Sequence, residues 1–177
     1  LELSLTDALS DILGEELHAG FRLGDRIAQD MVAVRLTPPL PLAVVACPEY
    51  LAVHGVPETP RNLLDHNCIR YRFQSSGRIA PWSFRAKDDE YSVDVQGNLI
   101  SNTLPASVDL AKKALGLVYT FRDYVADDID LGVLSPILEK HLGTTPGIFL
   151  YFPREYRSMM PLRLFMDHLS ASSESRL

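Results

Sequence analysis

The chain opens with a strict alternation: Leu1, Leu3 and Leu5 share one face and Glu2 and Ser4 the other, the period of a half-buried strand. Ser10 then offers an N-cap to a short helix over residues 11–17. Residues 19–23 form a brief apolar segment closed by Gly24-Asp25, and residues 31–36 predict a second strand with Val32, Val34 and Leu36 on one face. Pro38, Pro39 and Pro41 interrupt regular structure. Residues 42–47 are then almost continuously apolar, as in a strand covered on both faces, and such burial implies a sheet flanked by helices.

Thr59 before Pro60 predicts a short helix over residues 60–65, leading into a strand over 68–73. Residues 74–78 are a polar turn. Residues 82–85 and 91–95 predict a hairpin whose tip, Lys87-Asp88-Asp89-Glu90, is solvated, and 97–101 a further strand. Asn102 or Thr103 can cap a helix in which Leu104, Val108, Ala111 and Leu115 recur at helical spacing, with Gly116 in the left-handed position that ends it. A buried strand over 117–121 follows, then a short helix near 123–128 and strands near 133–138 and 148–152. In the last element Ser158 can cap a helix with Pro161 in its first turn and Leu162, Phe165, Met166 and Leu169 as its apolar stripe. Short strands alternating with helices predict an α/β protein with mainly parallel sheets, and the two proline breaks suggest two lobes.

The 177 residues suffice for one domain or two small lobes with a real core, and 46% hydrophobic against 23% charged residues excludes wholesale disorder. Seventeen Lys plus Arg against twenty-three Asp plus Glu give a net charge of -6, opposite to a phosphate-tracking surface, so this chain alone should not bind DNA. Its longest apolar runs fall far short of the ~20 residues of a membrane span, and its start lacks the features of a signal peptide. Two cysteines without chelating spacing make a reducing, cytoplasmic setting the default. Glycine-rich phosphate loops, paired zinc histidines, a Gly-x-Ser-x-Gly elbow and a calcium frame are all missing from the sequence, so no cofactor or metal is expected. Cys68 beside His66 offers an enzymatic alternative, a cysteine-dependent hydrolase, against the simpler reading of a small buried thiol.

Several segments together resemble the effector-binding domain of LysR-type transcriptional regulators. Ala19-Gly20-Phe21-Arg22-Leu23-Gly24-Asp25 is similar to that family's D-x-G-x-R-x-G strand end, with His18 where an acidic residue is usual nearby. Residues 41–51 are similar to its hinge-crossing strand and following helix, and residues 57–69 match its P-x-x-P-x-x-L-x-x-H-x-C-I stretch. Ser101-Asn102-Thr103 and Gly116-Leu117-Val118-Tyr119 also fit, whereas Thr120-Phe121 stands where the family often has Leu-Pro.

The resemblance implies two Rossmann-like lobes of the type 2 periplasmic-binding-protein kind, joined by two crossings, with the first lobe truncated at its N-terminus. Residues 1–40 and 150–170 would form that lobe, 45–149 the second, and 171–177 a frayed tail. It further implies a ligand-sensing domain without catalysis: a small effector bound between lobes would modulate transcription by a helix-turn-helix that should precede this region, in a homodimer. A periplasmic-type solute-binding protein is the alternative. Ligands of open α/β sheets bind beyond the carboxyl ends of strands, where a helix N-terminus offers donors. The expected effector contacts are therefore Phe21, Arg22, Ser101, Asn102, Thr103 and Thr120, and Arg22 with a helix N-terminus favours a small organic anion.

Overall fold

The computed structural model describes residues 2–4, 17–24, 31–86 and 89–174. The chain divides into two compact units: Pro41–Thr144, with which residues 2–4 group, and a smaller one within Ser10–Leu40 and Thr145–Leu177. Residues 2–4 belong to no strand, and the rest of the expected opening strand, with most of the helix expected at 11–17, lies outside the described residues.

Strand β1 (Gly20–Leu23) and strand β2 (Met31–Arg35) begin the smaller unit. The chain then enters the larger unit through β3 (Leu40–Ala46), α1 (Pro48–His54), a 3-10 turn at Pro60–Asp65, and β4 (Cys68–Tyr71). The hairpin β5 (Trp82–Ala86) and β6 (Asp89–Val93), then β7 (Ile100–Ser101), α2 (Leu104–Lys112) and β8 (Leu117–Phe121) follow. α3 (Ala126–Asp130), β9 (Ser135–Ile137) and β10 (Thr144–Thr145) complete that unit. β11 (Ile148–Pro153), a 3-10 turn at Arg154–Ser158 and α4 (Met160–Glu174) return to the first.

In the smaller unit β11 inserts between β1 and β2, antiparallel to both. Leu150 and Phe152 alternate onto one face and pack with Leu162 of α4. On the other face Phe149 and Tyr151 are each covered by a guanidinium from a flanking strand: Arg35 lies 4.5 Å from the Phe149 ring centre and Arg22 4.7 Å from that of Tyr151. α4 starts at Met160 with Pro161 second, so Ser158 falls in the preceding 3-10 turn and does not cap it.

The larger unit has the strand order β10-β3-β8-β4-β7, with β9 also on β3. β4 is parallel to β7 and β8, while β3 runs antiparallel to β8 and β9. The expectation of mainly parallel sheets is thus overturned in both units. Continuous apolarity reports burial on two faces but carries no strand direction, which here is set by long excursions of the chain. Pro41 also lies inside β3, near its start; it has no N–H to donate, and its carbonyl accepts the Arg122 N–H at 2.9 Å. The core gathers Val44, Val45, Leu63, Ile69, Leu117 and Val118 with Val108 and Ala111 of α2. The hairpin joins it through Trp82 and Phe84, and Tyr119 donates its hydroxyl to the Ser83 carbonyl at 2.9 Å. Asp89 and Glu90, expected at the hairpin tip, are exposed but paired in β6 with Ala86 and Arg85. Two residues after α2 have positive φ, Ala114 (φ 59°), which precedes the expected position, and Gly116 (φ 152°).

Candidate functional site

The parallel register defines one end of the larger sheet. β4 pairs with β7 as Tyr71↔Ser101 and with β8 as Ile69↔Val118, and continuing the latter by two residues sets Thr120 level with Tyr71. Ser101, Tyr71 and Thr120 therefore form one row at the carboxyl ends of three neighbouring strands, ~5 Å from strand to strand. The first turn of α2 follows β7 directly and brings its free N–H groups to this end. Four of the expected residues, Ser101, Asn102, Thr103 and Thr120, meet here. Tyr71, half-buried between them, was missed because strand register cannot be read from composition.

The local chemistry differs among the four. Thr120 is 3% exposed and its hydroxyl has no hydrogen-bond partner among the described residues, which costs stability. Ser101 is already engaged: its hydroxyl donates to the Thr103 carbonyl at 2.9 Å and accepts the Thr103 N–H at 3.2 Å. Thr103 is the N-cap residue, yet its own side chain makes no cap bond. Asn102 is exposed.

Phe21 and Arg22 stand in the smaller unit on successive positions of β1 and so on opposite faces of its sheet. Phe21, 51% exposed, meets Phe165 of α4 edge-on at 6.3 Å, whereas Arg22 lies over Tyr151.

The stretch 57–69 serves a different end of the sheet, the amino ends of β4 and β8. Asn67 accepts the Asn98 N–H on Oδ1 and the Leu117 N–H on its carbonyl, both at 2.9 Å, and donates Nδ2 to the Leu115 carbonyl. Its own N–H donates to the Tyr50 hydroxyl at 2.9 Å, which lies 3.4 Å from His66 Nδ1. Burial, with His54 nearby, holds the His66 imidazole below its ordinary range. Cys68 is fully buried, its thiol is pushed up to about 12 by burial, and its sulfur faces the Leu63 carbonyl at 3.7 Å. Such a thiol stays protonated at neutral pH, unlike the exposed, low-pKa thiol of a reactive cysteine. Among the described residues no group of three or more His, Cys, Asp or Glu could hold a metal ion, and no helix is long and apolar enough to cross a membrane.

The family profile described as "LysR substrate binding domain" matches residues 1–173. The chain belongs to this family. The LysR substrate-binding domain is 40% identical over 169 residues to a Pseudomonas aeruginosa protein named "Putative transcriptional regulator", covering 96% of this chain and 55% of that one. It is 32% identical over 169 residues to the HTH-type transcriptional regulator PgrR of Escherichia coli K12, covering 96% and 56%. The chain thus spans about half the length of the curated relatives it matches. Among solved structures, CrgA of Neisseria meningitidis superposes with a TM-score of 0.80 at 21% identity over 92% of this chain and 54% of that one. The effector domain of AmpR of Pseudomonas aeruginosa gives 0.76 at 19% over 99% and 81%. These two likenesses establish the α/β fold, and the family match together with relatives named as transcriptional regulators leaves the solute-binding alternative not favoured.

Proposed function

We propose that this LysR substrate-binding domain senses a small organic anion at the carboxyl ends of β4, β7 and β8. The observation that carries the proposal is Thr120: a buried hydroxyl without a partner, in the same row as Tyr71 and Ser101 and beside the amino end of a helix that favours negative charge. Thr103 and Asn102 supply further donors. Arg22 and Phe21 enter on the family resemblance, with Arg22 as the candidate counter-charge. No catalytic step is required, since a ligand that binds one conformation better shifts the population toward it. In the whole regulator the readout is transcription, through a helix-turn-helix outside this chain, in a cytoplasmic homo-oligomer.

A thermal-shift screen of small carboxylic acids followed by calorimetry tests this. Thr120→Val keeps the shape and removes the hydroxyl. It should bind the effector about tenfold more weakly while melting no earlier than the parent, because an unsatisfied buried group has been removed. Arg22→Ala should weaken binding by a similar factor. Effector binding unchanged in both variants would defeat the site.

A further inference from the structure

The smaller unit carries a second concentration of unused charge. A groove of about 490 Å3 is lined by Arg154, Arg157, Ser158, Arg163 and Met166. Arg154 and Arg157 are three apart on a 3-10 turn, the spacing at which side chains eclipse, so both guanidinium groups leave the turn on the same side. Arg163 and Met166 are three apart in the amino-terminal half of α4, so they also share a side, near the positive end of that helix. The carboxylates nearest in sequence form no ion pair with the groove's arginines among the described residues. Glu155 and Asp167 are exposed, and the two ion pairs found among the described residues, Lys112–Asp128 and Arg122–Glu139, both lie in the larger unit.

Three arginines converge on one concavity in a chain whose net charge is -6, and none of them has an ion-pair partner among the described residues. We infer that this groove is a second, independent ligand site, for a small molecule bearing a phosphate group. The groove is open and its arginines are exposed, but arginine forks match phosphate oxygens bidentately and Ser158 adds a hydroxyl donor. Met166 supplies an apolar wall for the rest of the ligand. A dianion also relieves the repulsion among three like charges, so binding should raise the melting temperature.

The test is calorimetry and thermal shift on the full chain at moderate salt with three probes: inorganic phosphate, a sugar monophosphate, and a short DNA duplex. The sugar phosphate should bind, inorganic phosphate more weakly at the same site, and the duplex not at all. Arg157→Gln and Arg163→Gln should each weaken sugar-phosphate binding ~10-fold or more, the loss of a charge-assisted contact, while Thr120→Val leaves it unchanged. Both arginines are exposed, so the variants should fold as the parent does, which circular dichroism checks. Absence of any sugar-phosphate binding, binding insensitive to both arginine variants, or binding of the duplex in preference would each overturn the inference. Loss through Thr120→Val instead would assign the phosphate to the sheet-end site.

Discussion

Asn67 shows how much of a local motif is structural necessity. With one side chain and two backbone groups it ties the segment before β7, the start of β8 and, through Tyr50, helix α1. Backbone packs so closely there that a Cβ at Gly97 would sit 2.0 Å from the Cys68 carbonyl oxygen, and one at Gly116 2.4 Å from that of Asn67. Neither neighbour is a flexible side-chain end. Gly97→Ala should therefore destabilise by more than ~3 kcal/mol in urea denaturation, beyond an ordinary core substitution. The same knot titrates. His66 has its folded-state pKa lowered from 6.5, so below that pH the unfolded chain takes up the proton more readily and stability falls with falling pH. Denaturation midpoints at pH 7.5 and 5.5 should differ less in His66→Gln than in the parent. Cys68, protonated and buried, should resist Ellman's reagent in native Cys47→Ser protein at pH 8 and react only on unfolding.

At the scale of elements, the amino end of α2 exchanges the roles that its sequence suggests. Thr103 occupies the capping position, but Ser101 makes the two hydrogen bonds that fix it. Thr103→Ala should cost less than ~0.5 kcal/mol of stability and Ser101→Ala about 1 kcal/mol, so a thermal melt separates the structural hydroxyl from the one free to meet a ligand. Periodicity made most elements legible: the 3-10 turn at Pro60–Asp65, strand β8 and the apolar stripe of α4 all fall where spacing puts them. What it hid was pairing. Strand direction, the insertion of β11 between β1 and β2, and the row Ser101–Tyr71–Thr120 depend on contacts between distant segments. Local pattern carries no term for these. The same holds for Phe21 and Arg22, adjacent in sequence but turned to opposite faces of the sheet by β1.

For the molecule as a whole, charge decides what this chain can do by itself. Duplex DNA attracts proteins chiefly through phosphate neutralisation and counterion release, which demands a cationic face of several Lys and Arg. Here the net charge is -6, and the arginines that do cluster, Arg154, Arg157 and Arg163, line a groove of about 490 Å3 rather than a surface matching a duplex backbone. Attraction at three points, opposed by the field of the remaining acidic surface, should be fully screened near 0.15 M salt, where the Debye length is about 8 Å. We therefore expect no change in anisotropy of a labelled duplex with up to ~100 μM of this chain, the weak end of the usual range of non-specific binding constants. The curated relatives are about twice as long as this chain, and on the function proposed above promoter binding belongs to the half that this chain does not span. Salt-dependent duplex binding by the chain alone, abolished in Arg157→Gln, would instead place these arginines on nucleic acid.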